Sequence, residues 1–380
     1  MTKESEKRVR KQKKGAAVPP QQSHSSVHFD IHDHRILDAD GCLVGRLPEC
    51  AKQPDQLIAL YRIMVKTRLF DEKAIALQRR GQLGTYASSL GQEAIGAAIG
   101  TVMADDDVLF PAYREYAAQF LRGVTMADIL LYWGGNEQGM NFKGQRHDFP
   151  ICVPIAGQAP HAVGTAYAMK LCDEKRVAVC VIGDGGTSKG DFCEAINAAG
   201  TWALPIVFIV NNNGWAISMP RKRQTGAETL AQKAIAAGFP GEQVDGNDVI
   251  ALTDRIDQAL HKARMGIGPT LIEALTYRLC DHTTADDASR YRSGQEVKEQ
   301  WHYEPIKRLR TYLNEIDCWS ESDEQELLAS CHDEVEQAVS CYLNTPPQPP
   351  ESMFDYLYQS LPAALEEQRA SVVQWSKGNE

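Results

Sequence analysis

The sequence is poor in the features that would commit it to a membrane, a disulfide framework or nucleic acid. No apolar run approaches the about 20 residues that a membrane-spanning helix needs. Ten cysteines occur among 380 residues, yet none forms a CxxC pair or shows metal-ligand spacing. Cys180, Cys193 and Cys280 fall in apolar runs, so the set reads as reduced core thiols. A net charge of -10 argues against nucleic acid as a general partner. The start shows no secretory apolar region, no internal repeat is visible, and a cytoplasmic location is expected. The first strong strand lacks a following GxGxxG turn, which argues against a nucleotide-binding dehydrogenase. What remains is an ordinary globular composition, 43% hydrophobic and 24% charged, long enough to bury a large core in one domain with appendages.

The most informative stretch is Gly183-Asp184-Gly185-Gly186, followed by a crossover and then Asn211-Asn212-Asn213-Gly214-Trp215. The apolar runs Val177–Ile182 and Ile206–Val210 read as buried strands. Between them Asp191 to Glu194 has the spacing of a helix start, and Phe192, Ala195, Ala198, Ala199 and Trp202 recur on one face. A right-handed βαβ unit brings Asp184 and Asn213 together at the carboxyl edge of a parallel sheet, where open α/β folds bind ligands. A carboxylate, an amide oxygen and a backbone carbonyl are hard donors suited to magnesium. The glycines admit close backbone approach, and the next helix aims its first amides at negative charge. The arrangement suits a metal-bridged diphosphate; the bland alternative is a Gly-rich turn with an Asp cap.

Helical periodicity covers Gln56 to Arg79, a second helix begins near Gln92, and Pro160 stands in the first turn of a helix to about Leu171. Thr270 to Arg278 reads as a strand leading into a polar loop, Leu279 to Arg292, whose composition predicts poor anchoring in the absence of a ligand. Glu296–Leu313 and Gln325–Leu343 read as helices, the latter with an apolar stripe that belongs to the core. Residues 1–26 are basic, polar and aperiodic, and are expected to be a disordered arm. A folded body, 27–344, is followed by a stiff proline linker, 345–350, and by an aromatic tail, 351–380, expected to dock on a partner chain.

These residues resemble the thiamine-diphosphate fingerprint, GDG followed by an Asn-Asn pair. The longer string GDGGTSKGDFCEAINAAGTWALPIVFIVNNNGWAIS is similar to the α subunit of the heterotetrameric 2-oxo-acid dehydrogenases, most of all to bacterial pyruvate dehydrogenase α chains. Further matching stretches are RILDADG from Arg35, GQLGTYASSLGQEA from Gly81, AYRE from Ala112, LAQKAIAAGFPGEQVDGND from Leu230 and DHTTADDASRYRS from Asp281. They span about Ile36 to Leu365, nearly the whole folded chain.

The resemblance implies an α/β thiamine-diphosphate-binding fold, a central mainly parallel sheet flanked by helices. It implies thiamine diphosphate and Mg2+ as cofactors, with Asp184, Asn213 and the carbonyl of Trp215 on the metal, and Gly183, Gly185 and Gly186 along the diphosphate. Tyr113 and Arg114 match positions on the phosphates, and Ile155 matches the bulky apolar residue under the cofactor; Val153 offers backbone contact at most. His282 matches a histidine over the cofactor, near the substrate carboxylate and the incoming lipoyl group. The partners implied are a β subunit in an α2β2 assembly, a lipoyl acyltransferase core and a small 2-oxo acid.

The activity implied is oxidative decarboxylation of pyruvate with reductive acetylation of lipoyl groups. Branched-chain 2-oxo acids, acetoin, and a cofactor-binding but silent assembly subunit remain open. Three departures stand out: Asn211 where some relatives carry an arginine, Trp215 for a more usual tyrosine, and Thr283 at the position of a regulatory serine in mitochondrial relatives. Ala112, small where branched-chain enzymes carry a larger amide residue, favours the pyruvate grouping.

Overall fold

The computed structural model describes residues 29–377; the basic arm expected over 1–26 lies outside them. From Ile31 onward the chain is one compact unit. Its strands are β1 (Asp33–His34), β2 (Val108–Phe110), β3 (Ala178–Gly183), β4 (Ile206–Asn212), β5 (Trp215–Ala216), β6 (Met219–Pro220), β7 (Gly241–Asp245) and β8 (Thr270–Leu275). Six of them form one sheet in the order β1-β7-β8-β4-β3-β2, with every pair parallel. β5 and β6 form a separate antiparallel ribbon. The expected α/β architecture is present.

Both faces of the sheet are covered, which is why its central strands are continuous apolar runs rather than alternating ones. The side-chain period of two divides each run between two cores. Val179, Val181, Val207 and Ile209 join the core formed with helices Pro54–Arg79, Glu93–Val102, Val249–Arg264 and Pro305–Glu315. Ala178, Cys180, Ile182, Phe208 and Val210 face the other way, onto helices Gln158–Leu171 and Gly190–Thr201. A third cluster, with Phe70, Tyr86, Tyr116 and Val335 among its members, packs the helical region away from the sheet. No helix among the described residues is long and apolar enough to cross a membrane.

Several local expectations are corrected. The helix between β3 and β4 is capped by Lys189, with no side-chain cap bond, and Asp191 lies inside its first turn. The expected stripe on that helix ends before Trp202, which is 47% exposed and packs on the Tyr167 ring. Cys193 is exposed rather than a core thiol. The helix expected over Glu296–Leu313 is two helices, Gly294–Gln300 and Pro305–Glu315. The break is a pre-proline effect: Glu304 is extended at ψ 142 and Pro305 starts the second helix, because the proline ring disfavours helical backbone in the residue before it. The next helix begins early, at Glu321, under a Ser320/Asp323 capping box. β8 stops at Leu275, short of Arg278.

Beyond Asn344 the linker leads to two further helices, Ser352–Asp355 and Ala363–Lys377. Phe354 is buried, whereas Met353, Tyr356, Leu357 and Tyr358 are exposed.

Candidate functional site

The register of the sheet places the candidate residues. Gly183 pairs with Asn211 across β3 and β4, so the two motifs end side by side at the carboxyl edge. A cavity of about 600 Å³ opens there, lined by Gly183 to Gly186 from the β3 end and by Asn211, Asn213 and Trp215 from the β4 end. Tyr113 and Arg114, just beyond β2, complete the wall together with Ile155 and His282. Two residues singled out in the sequence are not in the lining: Val153, whose side chain is exposed, and Thr283.

The glycines make the close approach possible. A Cβ on Gly185 would meet the Cβ of Ala216 at 2.5 Å, and one on Gly186 would meet Ile182 at 2.6 Å. At Gly183 a Cβ would meet nothing within 4 Å, so the chain there faces open space. Asp184 is 2% exposed, and burial raises its pKa above the usual carboxylate range. Its side-chain hydrogen-bond partner is neutral: Gln224 Nε2 donates to Oδ2 at 2.6 Å.

Asn213 accepts the Trp215 N–H at 3.2 Å and donates to Gln92 at 3.0 Å. The Trp215 carbonyl accepts from Arg278 at 3.3 Å. Asn212, one residue out of phase, points to the other side and donates to the buried Glu273 at 2.7 Å. Among the described residues no group of three or more His, Cys, Asp or Glu could hold a metal. The donors that do converge are one carboxylate, amide oxygens and a main-chain carbonyl. That hard, oxygen-only set fits magnesium, which takes few protein ligands and completes its shell with phosphate and water. Asn211, a residue of the same wall, has a buried Oδ1 with no partner.

His282 stands between two arginines. Its Nδ1 lies 3.2 Å from a guanidinium nitrogen of Arg114 and 3.3 Å from one of Arg278. Guanidinium groups only donate, so Nδ1 must accept and the ring is neutral, with its proton on Nε2. The pKa agrees: burial first, then the charges of Arg114 and Arg278, lower it from 6.5 to about 4. Arg114 also donates to the carbonyls of Ser88 and His282, and Arg278 to Ile217 O and the Tyr291 hydroxyl. Both are buried, and neither has a carboxylate partner within these bonds. Burial, the largest influence, lowers the pKa of Arg278.

The loop carrying His282 is well anchored, contrary to the expectation from its polarity. Arg292 donates to the carbonyls of Arg278 and Cys280. Asp281 accepts the Ala288 N–H at 2.9 Å, and Asp286 accepts the His282 N–H at 2.9 Å and the Tyr291 hydroxyl. Thr284 and Tyr86 exchange two further bonds. The polar groups bond within the loop and to its neighbours, so they act as its anchors. A second cavity, about 540 Å³, lies on the Thr283 side of this loop and contains none of the strand-end groups.

Three side chains bonded to candidate residues were not singled out from the sequence. Gln92 bonds both Asn211 and Asn213, Gln224 bonds Asp184, and Arg278 bonds His282 and the Trp215 carbonyl. Gln92 carried a signal, since it precedes a helix within a matching stretch; Gln224 lies in a polar loop and carried none.

The family described as "Dehydrogenase E1 component" matches residues 61–351. A 3-methyl-2-oxobutanoate dehydrogenase subunit alpha of Mycobacterium tuberculosis is 42% identical over 341 residues, 90% of this chain and 93% of its own. A pyruvate dehydrogenase E1 component subunit alpha of Staphylococcus epidermidis is 38% identical over 337 residues, 88% and 90% of the two chains. The subunit of the same description from Mycoplasma genitalium is 36% identical over 336 residues, 88% and 94% of the two chains. Identity to these two pyruvate dehydrogenase chains is thus no higher than to the 3-methyl-2-oxobutanoate dehydrogenase chain.

Proposed function

The chain belongs to the dehydrogenase E1 component family, as the α subunit of a 2-oxo-acid dehydrogenase, and from that premise we propose that it binds thiamine diphosphate with Mg2+ in the strand-end cavity and serves the oxidative decarboxylation of pyruvate. When bound, thiamine diphosphate supplies the electron sink for loss of carbon dioxide. In this proposal Asp184, Asn213 and the Trp215 carbonyl hold the metal, and the Gly183 to Gly186 backbone and Arg114 hold the diphosphate. Tyr113 borders the phosphates and Ile155 supports the cofactor from below. His282, neutral and pinned at Nδ1, presents its Nε2–H as a fixed donor to an anionic oxygen. The observation that carries the reading is the convergence in one cavity of residues 168 positions apart, Arg114 and His282, upon the β3 and β4 ends.

Catalysis requires a β subunit in an α2β2 assembly, which docks on a lipoyl acyltransferase core and passes the acyl group to its lipoyl arm. Support for a docked partner comes from the C-terminal tail, where Tyr356 is 90% exposed beside Leu357 and Tyr358. A cytoplasmic setting belongs to the proposal and suits ten free cysteines. A branched-chain substrate is the second reading, favoured by the 42% identical relative; the small Ala112 in the cavity wall favours pyruvate. The test is co-purification with the β chain, calorimetric titration with magnesium thiamine diphosphate, and turnover on pyruvate, 3-methyl-2-oxobutanoate and acetoin. Asp184→Asn is expected to abolish metal-dependent turnover; unchanged turnover would mean a silent assembly subunit.

A further inference from the structure

Gln92 caps the helix Glu93–Val102 and lies far from the strand-end motifs in sequence, yet its side chain is held between the amides of Asn211 and Asn213. All three are buried, at 3%, 5% and 7% exposure. Amide oxygen and nitrogen are told apart by what they bond, and one donor that cannot turn settles all three here. The backbone N–H of Trp215 can only donate, and it reaches the Asn213 side chain at 3.2 Å; the atom there is Oδ1. The NH2 of Asn213 is therefore the group 3.0 Å from Gln92, and Gln92 must answer with oxygen. That same oxygen accepts from Asn211 Nδ2 at 2.9 Å. Asn211 is left with Oδ1 buried and unpartnered, on a residue that lines the cavity.

We propose that Gln92 is a positioning residue for the cation: by taking both amide NH2 groups it turns the oxygens of Asn213 and Asn211 toward the cavity, and Asn211 Oδ1 is a further oxygen donor to the cation or to a water on it. The inference rests on the reading of this cavity as a magnesium diphosphate site. Gln92 is itself fixed for the task. Its N–H bonds Ser89 O at 2.8 Å, and the preceding Gly91 has φ +87, where a Cβ would meet Tyr277 O at 2.6 Å. A buried acceptor aligned in advance with no partner is costly to maintain, and a hard cation in the cavity would relieve that cost.

The experiment uses the full α2β2 protein with saturating thiamine diphosphate and follows Mn2+ binding by electron paramagnetic resonance. Gln92→Leu removes the acceptor and frees both amides, and is expected to weaken Mn2+ binding by about tenfold or more, the usual scale for a lost outer-shell partner. Gln92→Glu keeps an acceptor for both NH2 groups and is expected to stay within roughly threefold of wild type on that scale. The metal-free melting temperature separates a folding defect from this effect. Gln92→Leu binding Mn2+ as tightly as wild type would overturn the proposal. Gln92→Glu binding as weakly as Gln92→Leu would do so too, because it would assign the role to the unpartnered Nε2. If Gln92→Leu fails to assemble, Gln92→Met, which also lacks the amide oxygen, takes its place with the same expected loss and the same overturning result. A wild-type protein that binds no Mn2+ overturns the underlying cofactor reading instead.

Discussion

The neutral state of His282 yields the most quantitative prediction. Burial and two guanidinium groups lower its pKa from 6.5 to about 4. At pH 5 an ordinary imidazole is neutral in about 3% of molecules, whereas one with a pKa near 4 is neutral in about 90%, since each unit is a factor of ten. The assay is exchange of the ring Cε1 hydrogen for deuterium, followed by mass spectrometry of the peptide from Leu279 to Arg292, because the pH midpoint of that rate reports the imidazole pKa. His282 should show no inflection between pH 6 and 7 and a midpoint near 4. Arg278→Gln should move the midpoint upward by removing one of the two cations. Added magnesium diphosphate should do the same, because its negative charge offsets both arginines. The linkage has a definite sign. A base whose folded pKa is depressed contributes stability that is fully present above pH 6.5 and is lost as pH falls through the window down to about 4. A His282 midpoint between 6 and 7 in the unliganded protein would refute the assignment of Nδ1 as an acceptor.

Other consequences are as direct. Gly185→Ala must displace Ala216, whose Cβ lies 2.5 Å from the new methyl, and should cost about 1–3 kcal/mol in urea unfolding as an overpacked site. Gly183→Ala meets nothing within 4 Å; its urea midpoint should be unchanged while diphosphate affinity falls, and unaltered affinity would place the diphosphate elsewhere. Arg308 and Asp245 form a buried ion pair at 2.8 Å, and Arg35 reaches the same carboxylate oxygen at 2.9 Å, so Arg308→Met leaves Asp245 one cation and should cost less than the about 3–5 kcal/mol of a stranded buried charge. Ser320→Ala removes the capping box of the helix Glu321–Asn344 and should lower stability by about 0.5–2 kcal/mol without altering cofactor binding.

The parts of the fold that were legible are those where one local pattern decides one element. The β3 and β4 runs, the helix between them and the meeting of Asp184 with Asn213 at adjacent strand ends all follow from period, length and right-handed crossover. The break at Glu304 was legible as well, since a proline in a helical pattern is a boundary signal, but the flanking helical periodicity obscured it. Contacts across the chain were not. Gln92 meets Asn211 and Asn213 across 119 and 121 residues, and no periodicity in either segment encodes that. The loop around His282 illustrates a different limit. Its composition predicts solvated, weakly held backbone, yet the same polar groups close on one another once Arg278 and Tyr86 are brought alongside, and that depends on tertiary structure.

The electrostatics of the cavity argue that it completes itself with two ions of opposite sign together. Burial raises the pKa of Asp184 and lowers that of Arg278; in each case the charged form lacks full compensation, which is costly in a buried site. Asp184 is bonded by a neutral amide, and Arg114 and Arg278 by carbonyls, a neutral imidazole and a phenol. A cation alone would relieve the carboxylate but sit near two guanidinium groups. An anion alone would relieve the arginines but approach the carboxylate. Bound as a pair, each screens the other from the like charge it would face alone, so their affinities must be coupled, and by the same factor in both directions. Calorimetric titration of the α2β2 protein with thiamine diphosphate, with and without Mg2+, and with Mg2+, with and without thiamine diphosphate, measures that factor from each side. Affinities unchanged by the other component would mean that these charges are already balanced within the protein, and the case for a metal-bridged diphosphate between Asp184 and Arg114 would fall.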